Sequence, residues 1–111
     1  MKEVNILGTT YYLKIDETDL LKNINADGLH KEYAKKIIVR KLNDFLDDSD
    51  SEQEKRERAK EVLRHEIIHA FFSEAGLDDY SANEQLVNWL AIQFQKIKKV
   101  VEETEAIYDD V

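Results

Sequence analysis

Three chemically costly side chains sit inside the most apolar stretch of this chain, Arg64-His65-Glu66-Ile67-Ile68-His69-Ala70-Phe71-Phe72. On a helix, His65 and His69 stand one turn apart on one face, with Glu66 beside them. At about 100° per residue, Leu63, Ile67, Ala70 and Phe71 make a core stripe, Ile68 and Phe72 widen it, and the two histidines with Glu66 fill the remaining sector. The helix is therefore expected to be buried nearly all round at this end, where each uncompensated polar group costs on the order of 2–7 kcal/mol. A divalent cation held by both histidines, with Glu66 free beside it, meets that cost and matches the H-E-x-x-H zinc signature. The competing reading is a core helix whose histidines bond to backbone carbonyls. It leaves unexplained why two of only 3 histidines fall where apolar residues belong.

The surrounding signals agree with a helix. Ser51-Glu52-Gln53-Glu54 is a capping box, Glu54 to Lys60 reads as a solvated first half, and Gly76 is a C-terminal stop. After the link Leu77-Asp78-Asp79-Tyr80, Ser81 opens a second long helix with an apolar stripe at Val87, Leu90, Phe94, Ile97 and Val101. The two helices should pack as an αα-hairpin.

The N-terminal third is β-rich. Val4 to Leu7 and Thr10 to Ile15, joined at Gly8-Thr9, predict a hairpin. Asp16 to Lys22 predicts a short helical turn capped by Asp16 or Thr18, and Asn25-Ala26-Asp27-Gly28 a turn with glycine taking positive φ. Leu29 to Lys35 is ambiguous. Lys36-Ile37-Ile38-Val39-Arg40 is the strongest strand, and its charged ends suggest a sheet edge. The expected fold class is α+β, a small antiparallel sheet packed on two long helices in one domain spanning residues 1–111.

Residues 43–51 carry Asp44, Asp47, Asp48 and Asp50 and read as a solvated acidic loop, since no calcium-loop register follows. Residues 102–111 lose the apolar pattern and are expected to fray. The chain has no cysteine, so a metal site must use His, Asp, Glu and water. A net charge of -8 argues against nucleic acid or an anionic membrane as direct partner. With no apolar run long enough to span a membrane and no leader, the expectation is a cytoplasmic monomer.

Two histidines leave a zinc site one protein ligand short. Glu84, on the first turn of the second helix, is best placed to supply it, with His30, Asp78 and Asp79 as alternatives. Ser81-Ala82-Asn83-Glu84 is itself a capping box, so Glu84 has a purely local reading as well. Asn88, one turn on among Leu86, Val87, Trp89 and Leu90, is suited to orient a histidine ligand.

His65-Glu66-Ile67-Ile68-His69 followed by a helix bearing Asn83-Glu84 resembles the gluzincin pattern. From Thr10 to Gln95 the chain is similar to small zincin-like metallopeptidases of phages and mobile elements, distantly related to the ImmA/IrrE group. It departs from thermolysin-like members in having Asn88 where Asp is usual and in a shorter gap from His69 to Glu84. The resemblance implies a three-stranded sheet whose edge, Ile37, Ile38, Val39 and Arg40, binds an extended protein or peptide substrate by strand addition. It implies one Zn2+ per chain on His65, His69 and Glu84, with Glu66 as general base in peptide hydrolysis. A further donor to the tetrahedral oxyanion is expected from His30, Tyr33 or Tyr80. The alternative is a catalytically silent zincin-like module that binds a partner protein, its zinc being structural.

Overall fold

A computed structural model describes residues 1–45 and 50–110. Strands β1 (Lys2–Ile6) and β2 (Thr9–Ile15) form the N-terminal hairpin. Its turn is Leu7-Gly8, one residue earlier than expected. Both residues take positive φ, 50° and 91°, the type I′ geometry whose twist matches the flanking strands. Helix α1 (Leu20–Asn23) has Asp19 at its N-cap position rather than Asp16 or Thr18, and the Asp16 carboxylate braces its start from outside, accepting from the Leu21 and Thr18 backbone N–H groups at 2.8 and 3.0 Å.

The sheet differs from the three-stranded antiparallel one expected. The ambiguous segment contributes strand β3 (Gly28–Lys31), antiparallel to β4 (Lys36–Val39), and β4 also pairs in parallel with β2. The result is a four-stranded mixed sheet in the order β1-β2-β4-β3. Residues Ile37, Ile38, Val39 and Arg40 therefore do not form an edge. Ile37 and Ile38 point to opposite faces and both are buried, the pattern of a strand covered on two sides. The flanking charge that suggested an edge has other partners: Arg40 Nε donates to the Ala26 carbonyl at 2.6 Å and its backbone N–H to Asp27 O at 3.1 Å. The outer strands are β1 and β3.

Helix α2 (Glu52–Glu74) lies across one sheet face, where Ile6, Tyr11, Ile37 and Ala70 form the core with Leu63 and Ile67 packed against them. The Ser51/Glu54 capping box is formed at its start. At its end Gly76 has φ 75°, Leu77 N donates to Phe72 O and Gly76 N to Ser73 O, a Schellman stop. A short helix α3 (Asp78–Ser81) intervenes before α4 (Glu84–Glu105), which Asn83 caps by accepting from Leu86 N at 3.0 Å. The second long helix thus starts three residues later than Ser81. Val87 and Ala91 bury it against α2, and Arg64 Nε donates to the Ala91 carbonyl at 2.8 Å.

Two segments expected to be irregular are ordered. Leu42–Asp44 is a 3-10 turn followed by buried Phe45, so the start of the stretch read as a solvated loop is regular and partly packed; Asp47 and Asp48 lie outside the described residues. Helix α4 continues to Glu105, with a 3-10 turn at Ala106–Tyr108, where fraying was expected. Among the described residues, no helix is long and apolar enough to cross a membrane.

Candidate metal centre

Helix α2 is less enclosed than its sequence suggests: Glu66 and Ala70 are buried, but Phe71 is exposed and both histidines are only partly covered. The histidines face the start of α4. His65 Nε2 and His69 Nε2 are 3.0 Å apart, and the Glu84 carboxylate spans them, Oε2 at 3.2 Å from His65 and Oε1 at 3.0 Å from His69. Among the described residues, this is the group of His, Asp and Glu side chains that could hold a metal ion, one donor atom of each lying within 4.8 Å of the others. Donors around a tetrahedral ion at ~2.0–2.1 Å stand roughly 3.3 Å apart, so the observed spacing fits with small adjustment. Two imidazole nitrogens this close repel unless a proton or a cation lies between them. Glu84 is the first helical residue after the Asn83 cap, so the Ser81 capping-box reading of it does not hold.

Neighbours hold the rings. Ser81 Oγ donates to His69 O at 3.1 Å and, having one hydrogen, can only accept from His69 Nδ1, 3.4 Å away. That fixes the tautomer with a lone pair on Nε2, facing His65 and Glu84. Nothing local in the sequence marks Ser81 for this role; it lies across the α2–α4 connection from the ring it holds. Asn88 lines the same small cavity as the His65 ring. Burial, then the neighbouring His69, pushes the His65 pKa down and favours the neutral form that a ligand needs.

Glu66 does not join the cluster of donors. It lines a cavity of about 170 Å³ with Gly28, Val62, His65 and Asn88, rimmed by the Arg58–Asp27 ion pair at 2.9 Å. Burial, reinforced by the Glu84 carboxylate, pushes its pKa up to about 7. Gly28 is the wall here. A Cβ on it would stand 2.8 Å from Val62 Cγ1 and 3.0 Å from Glu66 Cγ, so glycine is required by close approach of β3 to α2. Positive φ, which the sequence assigned to Gly28, belongs instead to Asn25 at 54°.

Of the three candidate oxyanion donors, His30 alone is seen against the cluster, its ring parallel to His69 at 6.4 Å. The Tyr11 hydroxyl donates to Glu74 at 2.7 Å, so at 3.4 Å it can only accept from His30 Nε2. Burial pushes the His30 pKa down, which leaves a neutral ring with its one N–H directed at Tyr11. Glu74 gathers this layer, accepting also from Lys35 Nζ at 2.6 Å and Thr9 Oγ1 at 2.9 Å. Tyr33 is 93% exposed in the β3–β4 turn, and the Tyr80 ring packs on Phe72 at 6.0 Å. Asp78 and Asp79 open α3 and are not part of the His65, His69, Glu84 group.

No protein-family model, curated protein or solved structure matches the chain.

Proposed function

We propose that this protein is a single-zinc peptidase in which His65, His69 and Glu84 hold the ion and Glu66 is the general base. The observation that carries the reading is the pairing of two environments side by side. Two imidazole nitrogens and a carboxylate converge within 3.0–3.2 Å contacts, while a neighbouring carboxylate is kept buried and apart from them. When bound, zinc supplies a Lewis acid that brings the pKa of water to about 7 and polarises a carbonyl. Glu66 takes a proton from the attacking water as oxygen adds to the peptide carbonyl. It returns that proton to the nitrogen as the C–N bond breaks. Ser81 and Asn88 keep the rings aimed. Strand β3, an outer strand with Gly28 against Glu66, offers a free backbone edge to an extended peptide.

Metal analysis after dialysis should give one zinc per chain, and chelator should lower the melting temperature. Saturating a site a thousandfold over its dissociation constant is worth about 4 kcal/mol. Glu66→Gln should keep zinc and fold while losing hydrolysis of casein or of proteins that co-purify. A melt indifferent to both zinc and chelator removes the metal site. Wild type and Glu66→Gln cleaving co-purified proteins at the same rate removes the general base.

A further inference from the structure

Helix α2 closes on the sheet around Tyr11, Ile37 and Ala70, but beside its first half a groove of about 590 Å³ stays open between helix and sheet. Strand register sets the floor of this groove. Leu13 lies opposite Ile37 and Ile15 opposite Val39, so all four share the face turned toward α2, where Leu13 and Val39 pack on the core. The helix contributes Arg56, Ala59, Lys60 and Leu63, spaced i, i+3, i+4 and i+7 along one stripe. Ile15, a large apolar side chain on this face, is 58% exposed.

The rim over this apolar floor is cationic. Lys2 stands directly opposite Leu13 and so on the same face, and Arg56 and Lys60 belong to the helix stripe. Two further cations along the groove are committed elsewhere. Lys14 lies opposite Ile38 and faces the other side of the sheet, and Arg40 spends its guanidinium on the Ala26, Leu21 and Asp44 carbonyls and on Asp27. Arg56 pairs with Glu52 at 3.1 Å in an exposed contact, whereas the Lys2 and Lys60 ammonium groups have no ion-pair or hydrogen-bond partner among the described residues. The described residues lining the groove include no Asp or Glu, in a chain where acids outnumber bases 24 to 16.

A peptide does not suit such a site. Strands β2 and β4 each have a neighbour on both sides and α2 bonds its own backbone, so amides laid on the floor would lose water and gain no partner. A membrane surface does not suit it either, because the groove is concave and an anionic bilayer would face a chain of net charge -8. An aliphatic tail with a single anionic head matches both the floor and the rim. We propose that the groove binds a free long-chain fatty acid, its tail along Leu13, Ile15, Val39 and Leu63 and its carboxylate met by Lys2 and Lys60. The site shares no residue with the His65, His69 and Glu84 cluster and does not rest on the zinc reading.

Calorimetric titration of the full chain with laurate, kept below the concentration at which it forms micelles, tests this, with dodecyltrimethylammonium as a probe of the same tail and opposite charge. Laurate should bind once per chain and about tenfold or more tighter than the ammonium, the reverse of the order that net charge alone dictates. Methyl NMR should place the shifts on Leu13, Ile15, Val39 and Leu63 rather than on Ile67, Ile68 and Leu90 of the apolar groove between α2 and α4. Lys2→Gln/Lys60→Gln should lower laurate affinity roughly tenfold and leave ammonium binding unchanged. Ile15→Glu, at an exposed strand end, should abolish laurate binding while circular dichroism stays that of wild type. Phosphatidylglycerol vesicles should not carry the protein down in a spin. Equal affinity for the two probes, laurate binding indifferent to both variants, shifts centred on Ile68 and Leu90, or capture by the vesicles would each overturn the proposal.

Discussion

Replacing Gly28 by alanine isolates the contact that sets the wall of the Glu66 cavity. The added Cβ would lie 2.8 Å from Val62 Cγ1, 3.0 Å from Glu66 Cγ and 3.3 Å from Glu66 Oε1, against the ~3.5–4.0 Å at which carbon atoms attract. Val62 is buried in mid-helix and β-branched, so it has essentially one rotamer and cannot swing aside. Overpacking of this kind costs about 1–3 kcal/mol. The φ of Gly28 is not in the left-handed region, so alanine also gains about 0.4–1 kcal/mol from a less free unfolded chain. The net expectation is a loss of roughly 1–2 kcal/mol, a fall in melting temperature of several degrees for a domain of this size. Chemical denaturation of Gly28→Ala, Val62→Ala and the double variant completes the cycle. The double variant should be more stable than the sum of the single losses predicts, since Val62→Ala removes the nearest clash. If Gly28→Ala is as stable as wild type, β3 can move off α2 at no cost, and the close approach does not explain the glycine.

Two other predictions concern single side chains. Ser81→Ala should weaken zinc binding by roughly 10–100-fold in a chelator competition, because His69 Nδ1 loses the oxygen that fixes its tautomer; equal affinity would show that the hydroxyl only braces the connector. Asp16, held down to about 2 from 3.8 chiefly by the Leu21 N–H, then by Thr18, contributes stability that is fully present above pH 3.8 and is lost as pH falls toward 2. In Asp16→Asn that acid-side slope should flatten in urea melts run between those pH values, and an unchanged slope would refute it.

The helices were largely legible in the sequence and the sheet was not, for one physical reason. His65, Glu66 and His69 lie within one helical turn, and the Ser51 cap and Gly76 stop act through neighbours a few residues away, so local pattern suffices. The parallel pairing of β2 with β4, Tyr12 opposite Lys36 through Ile15 opposite Val39, joins strands with no turn between them to announce it. The ends of β4 misled, because lysine and arginine beside a strand look alike whether they guard an edge or reach past it. Its unalternating Ile37-Ile38-Val39 was the better clue, marking two covered faces. Glu84 was found through the helix pairing, yet Asn83 rather than Ser81 caps that helix, and the serine freed from capping supports His69 instead. Glycine gives no side chain to reason from, which is why the role of Gly28 emerged only once α2 was seen against β3.

The connector from Ala75 to Asn83 is fastened at three points: the Schellman stop, the Ser81 bond back to His69 O, and the Asn83 cap. Its length is thereby part of the definition of the centre. One extra residue between Ser81 and Glu84 would turn the carboxylate about 100° around the α4 axis, or else pull the serine from the histidine. In a scan of single-residue insertions, the Leu7-Gly8 turn should accept an added residue with little effect. The stretch from Leu77 to Asn83 should tolerate none without loss of metal affinity, although it is neither buried core nor itself among the donors.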